Sequence, residues 1–143
     1  MANIKNVASY LVSLSQPSSP RAITPSKLQK LVYFAQGVYL SKHSQPLFTE
    51  EMKACNQGPV SFELYDKYKE YRYSTIPNNP FNIRNKISEL ELESINEAWE
   101  VYSHYDGKFI EELVHQVDPL LHTEINQVVD NRLIEKHFIS KRF

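Results

Sequence analysis

The stretch from Thr24 to His43 constrains the fold more than any other part of the chain. It opens with Thr24-Pro25, a residue able to cap a helix followed by the one residue whose missing N–H costs nothing at the first helical position. Leu28, Leu31, Val32, Ala35, Val38 and Tyr39 then recur at spacings of three and four, and Tyr33, Phe34 and Leu40 carry the apolar surface round most of the circumference. A helix apolar on nearly every side belongs in an interior. The sequence thus predicts a buried rod ending near His43, with other elements packed round it.

Those elements are marked in turn. Ile4, Val7, Ala8, Leu11 and Leu14 predict a helix from about Asn3 to Ser15, which Gln16-Pro17-Ser18-Ser19-Pro20 ends. Gln45-Pro46-Leu47-Phe48 reads as a turn, Glu51 to Cys55 suits a short strand, and Gly58-Pro59 is read as a turn that aims the next helix. In that helix Val60, Leu64, Tyr68 and Tyr71 form one stripe, widened by Phe62 and Tyr65 and ending near Arg72. Ser74 to Asn85 holds two prolines and four asparagines and predicts a loop. Ser88 with Glu91 has the spacing of a capping box and starts a helix that buries Leu92, Ile95, Trp99 and Tyr102, closed by Asp106-Gly107. Phe109, Ile110, Leu113 and Val114 suggest a further short helix broken at Asp118-Pro119, and Leu133, Ile134, His137 and Phe138 a last one over roughly Asp130 to Ser140. The expectation is a mainly α, compact domain spanning residues 1–143 round one central buried helix, with room for a short β-hairpin.

Composition narrows the function classes. A hydrophobic share of 41% in 143 residues suffices for a real core. Net charge is −1, so the chain as a whole carries no electrostatic footprint for a phosphate backbone; Lys136, Lys141 and Arg142 read as cations at a helix end. The lone Cys55 permits no internal disulfide, no apolar run reaches the length of a membrane span, and the polar-interrupted start is unlike a signal peptide. Cytoplasmic residence is the expectation.

Catalytic patterns are sparse. His43, His104, His115, His122 and His137 form no zinc-binding spacing, and no cofactor or metal is expected. Cys55 has no local nucleophile signature, three glycines cannot build a phosphate-cradling loop, and Glu50-Glu51 and Glu111-Glu112 point to different sides of any helix. Arg132 and His137 match the Arg-to-His spacing of HEPN ribonucleases, where the arginine would stabilise phosphorane charge and the histidine act as acid or base. Residues five apart on a helix lie about 140° apart, a poor start for convergence. A DNA-binding autoregulator is a further alternative, although no helix with several basic residues suits a major groove.

The run Leu28-Gln29-Lys30-Leu31-Val32-Tyr33-Phe34-Ala35-Gln36-Gly37 resembles the central-helix motif of the Panacea domain, a SocA-like or phage-associated GepA-like antitoxin family. Pro46-Leu47-Phe48 and Ala54 followed by Gly58-Pro59-Val60 are similar to two further family elements, and Tyr65 and Tyr68 fall where the family has aromatic residues. Leu113-Val114-His115 and Asp118-Pro119-Leu120 depart from the pattern, with Val for Thr and Leu for Trp. The resemblance implies an antitoxin that is not an enzyme, encoded beside a toxin and often phage-borne. It implies a cognate protein toxin as partner, neutralised directly or handed to a protease complex.

The residues singled out for partner contact or motif geometry are Gln29, Lys30, Tyr33, Gln36, Gly58, Pro59, Tyr65 and His115. Gln29 and Gln36 lie two turns apart on one side of the buried rod. Either they bond the backbone of the Gly58-Pro59 turn and fix the fold, or they line a partner groove. Gly37 suits the close approach of another helix, and His115 reads as a satisfied core histidine.

Overall fold

The computed structural model describes residues 1–106, 109–110, 113, 119 and 123–141. Its centre is α2, Pro25–His43, in which 13 of 19 residues are buried. Thr24 caps it by accepting from Lys27 N, Pro25 stands in its first turn, and Ser44 ends it in the left-handed conformation. The near-circumferential apolar surface read in the sequence is matched by neighbours on several sides. Helix α1, Ile4–Leu14, lies against α2 and is capped by Asn3. Helix α4, Glu89–Tyr102, makes the most extensive contact with α2, and α5, Asn131–Ser140, the next.

The predicted capping box is present at the start of α4, and its acid does more than cap. Glu91 accepts from Ser88 N at 2.8 Å with one oxygen and from Ala2 N at 2.6 Å with the other, which ties the N-terminal segment to α4. Across α2 and α4, the rings of Phe34 and Tyr102 stack at 3.8 Å, and Lys42 reaches Glu97 at 2.6 Å. Where α5 crosses α2, a Cβ built on Gly37 would fall 2.3 Å from the Phe138 ring, so only glycine lets the two helices approach this closely.

Residues 53–60 depart from the turn expected at Gly58-Pro59. Strand β1, Lys53–Cys55, pairs antiparallel with β2, Gly58–Val60, so Asn56-Gln57 is the turn and Gly58-Pro59-Val60 is the returning strand. Pro59 faces Ala54, whose N–H and C=O bond Gln127 and Asn126 on the far side. Pro59 therefore occupies a position where no ladder donor is needed. Residues 126–129 extend this small sheet, with Val129 N donating to Met52 O at 2.9 Å.

Helix α3, Phe62–Tyr68, follows directly and is continued by one 3₁₀ turn over Lys69–Tyr71. Leu64 and Tyr68 are buried as predicted, but Phe62 and Tyr65 are 50% and 56% exposed. These two aromatics thus widen the solvent face and not the core, because a seven-residue helix lying on α2 has only a narrow stripe to bury. The loop over residues 74–85 is anchored by Ile76, whose N–H donates to Ile23 O at 2.8 Å. Asp106 accepts from Phe109 N at 2.8 Å, so it caps a new helical turn at Phe109 and Ile110. Leu113 is helical as well, whereas Val114 and Asp118 lie outside the described residues, as do His115 and Arg142.

Candidate functional site

Gln29 organises a groove between α2 and α3. Its amide donates to Ser61 O at 2.9 Å and accepts from Ser61 N at 2.9 Å, so one side chain satisfies both backbone groups of a residue. Ser61 in turn caps α3 by accepting from Leu64 N at 3.2 Å. The glutamine of the central helix therefore sets where α3 begins and how it lies over α2. The cap itself was legible, a serine just before an apolar-periodic run, but the sequence reading passed over it.

Between the first turns of α2 and the α3 turn lies an open cavity of about 460 Å³. Gln29 and Lys30 line its α2 side, Pro59 and Val60 its sheet side, and Tyr65, Tyr68, Lys69, Arg72 and Tyr73 the α3 side. Lys30 is 2% exposed and its ammonium donates to Ser26 Oγ at 2.8 Å. Tyr65 and Tyr73 stand exposed at the edge, at 56% and 93%. Arg72, also exposed, has φ 52° and ψ −113°, a backbone conformation that side-chain-bearing residues rarely adopt. Lys69, Arg72 and Tyr73 were not among the residues singled out from the sequence. The Tyr71-Arg72-Tyr73 run at a predicted helix end was the available signal.

The eight sequence-selected residues thus divide. Gln29, Lys30, Pro59 and Tyr65 meet at this cavity. Gly58 is buried within β2 and supplies a φ of 118° to it. Tyr33 is wholly buried, edge-on to Phe34 and Phe138, and burial pushes its hydroxyl well above the usual tyrosine range, with Tyr102 adding to the effect. It has no surface to offer a partner. Gln36 does for the Pro46-Leu47-Phe48 turn what Gln29 does for Ser61: it accepts from Leu47 N at 2.6 Å and donates to Phe48 O at 3.0 Å. The two glutamines hold two different segments, neither bonding the Gly58-Pro59 backbone. His115 lies outside the described residues.

Among the described residues, no group of three or more His, Cys, Asp or Glu side chains converges as a metal site would. Cys55 is half-buried in β1 as a free thiol, and His43 packs on Tyr39 at the end of α2. Arg132 sits exposed in the first turn of α5, while His137 is half-buried with its ring edge-on to Phe138. No described helix is long and apolar enough to cross a membrane.

The model of the family described as antitoxin SocA-like, Panacea domain, matches residues 28–119. No curated protein and no solved structure matches the chain. The matched stretch contains all eight selected residues, and Arg132 and His137 fall outside it. Covering well over half of the chain, this match places the protein in the SocA-like antitoxin family of Panacea domains.

Proposed function

We propose that this protein is an antitoxin that neutralises a cognate protein toxin by binding it directly, through the surface where α3 meets the N-terminal turns of α2. Family membership supports the antitoxin class. The observation that carries the choice of surface is the cavity at which Gln29, Lys30, Pro59 and Tyr65 assemble, edged by exposed tyrosines. Tyrosine joins a large apolar area to a polar tip at low entropic cost, which suits a protein contact. The protein acts in the cytoplasm, in keeping with its lone thiol. Delivery of the bound toxin to a protease is compatible with the same contact, since an adaptor also needs the toxin first.

The test is co-expression with the genes immediately upstream and downstream. One neighbour should arrest growth alone and be relieved by this chain, and the two products should co-purify. Tyr65→Ala should weaken that complex, whereas Tyr71, half-buried against the core, should contribute less. Failure to relieve either neighbour would remove the reading. Cleavage of mixed RNA by the purified chain, abolished by His137→Ala, would instead support the ribonuclease alternative using Arg132 and His137.

A further inference from the structure

We propose that the groove between α2 and α3 receives an acidic segment of the partner protein, with a carboxylate drawn to Lys30, Lys69 and Arg72 and an apolar side chain laid against Tyr65 and Tyr73. The proposal rests on the antitoxin reading and adds the chemistry of the occupant.

Charge is segregated at this place. Among the described residues three cations line the cavity and no Asp or Glu does, although the chain as a whole carries a net charge of −1. Asp66, three residues back along α3, pairs with Lys69 at 3.4 Å, but both are exposed and such a pair re-forms readily with another carboxylate. Lys30 contributes from within the wall, its ammonium tethered to Ser26 one turn back on α2. Arg72 contributes from the edge, where its backbone sits at φ 52° and ψ −113°. Glycine would meet that conformation without strain, so an arginine held there points to a task for the side chain. A guanidinium presents the paired donors that a carboxylate accepts best.

Cations beside tyrosines also suit single-stranded nucleic acid. Two observations favour the peptide. The cavity of about 460 Å³ accommodates a few side chains, not a run of nucleotides. The exposed rings of Tyr65 and Tyr73 add apolar area at the edge, where a side chain next to the acid would rest.

The decisive variants are Arg72→Glu and Lys69→Glu, both at exposed positions, with unchanged thermal melting as the control for folding. On arrays of degenerate hexapeptides, the wild type should be retained about tenfold or more on sets with fixed Asp or Glu than on sets with fixed Lys or Arg. The double reversal should erase that preference. Equal retention on all sets, a preference indifferent to the reversal, or binding confined to mixed-sequence RNA would overturn the proposal. In the growth assay, relief by wild type but not by the reversed protein supports it. Equal relief by both overturns the groove and leaves the antitoxin reading standing. If wild type relieves neither neighbour, the antitoxin reading fails, and the arrays still decide the groove.

Discussion

Gly37 of the central helix lies directly under the ring of Phe138, with no room between them for a methyl group. Gly37→Ala should therefore destabilise the protein by about 1–3 kcal/mol, as overpacking does, even though alanine favours a helix interior by about 1 kcal/mol. Urea unfolding of Gly37→Ala, Phe138→Leu and the double variant checks this. The double variant should be less destabilised than the two single costs added together, because the clash is shared.

The two buried amides give a second expectation. Gln36→Leu strands Leu47 N and Phe48 O, and Gln29→Leu strands both backbone groups of Ser61. Each substitution should cost roughly 2–4 kcal/mol, from two buried groups losing their partner at about 1–3 kcal/mol each with some relaxation. Thermal denaturation reads the loss. If the proposed antitoxin reading holds, Gln29→Leu should also reduce toxin binding beyond its effect on stability, since Ser61 fixes the start of α3, whereas Gln36→Leu should not.

How far the chain could be read from its sequence follows from the kind of signal each element carries. Helix α2 was legible because its cap, its proline and its apolar periodicity all agree, and the boxed start of α4 was legible from Ser88 and Glu91 alone. Phe62 was misplaced because period alone does not say how wide a stripe a short helix can bury. The hairpin was half seen. Gly58-Pro59 announces irregular backbone, but only the pairing with β1 shows that it is strand and that Asn56-Gln57 turns. Of the groove, the α2 side and Tyr65 were found through their motif. Arg72 and Tyr73 were not, because a left-handed arginine after a 3₁₀ turn has no sequence signature.

Tyr33 carries the third expectation. Its hydroxyl is buried and has no hydrogen-bond partner among the described residues. Tyr33→Phe keeps the ring contacts and removes that group, so it should leave stability unchanged or raise it by up to about 1 kcal/mol. A loss of more than this on chemical denaturation would show that the hydroxyl is satisfied.

Lys27 gives the fourth, through pH. Its ammonium donates to Pro20 O at 2.7 Å and to Ser103 O, which joins the start of α2 to the end of α4. Burial lowers its pKa from 10.5 to about 8, with Asp106 opposing the shift and Arg21 adding to it. The folded value lies below the unfolded one. Below pH 8 both states are protonated and the folded chain bears the whole burial penalty; between about 8 and 10.5 the unfolded chain holds more protons, so stability from this site rises with pH. Compared with Lys27→Met, wild type should therefore gain relative stability as pH rises across that window. Denaturant melts at pH 7, 8.5 and 10 measure it, and a constant difference would contradict the lowered value.

Strand β1 is bordered on one side by β2 and on the other by residues 126–129, which come after the stretch that the family model matches. Trimming the protein to that stretch would unzip one margin of a hydrogen-bonded ribbon and leave Met52 and Ala54 with bare peptide groups. Such a margin recruits any extended chain that drifts past. Where kinship stops being detectable is thus a poor guide to where the molecule can be cut, and a shortened version would be expected to clump before it misbehaved in any subtler way.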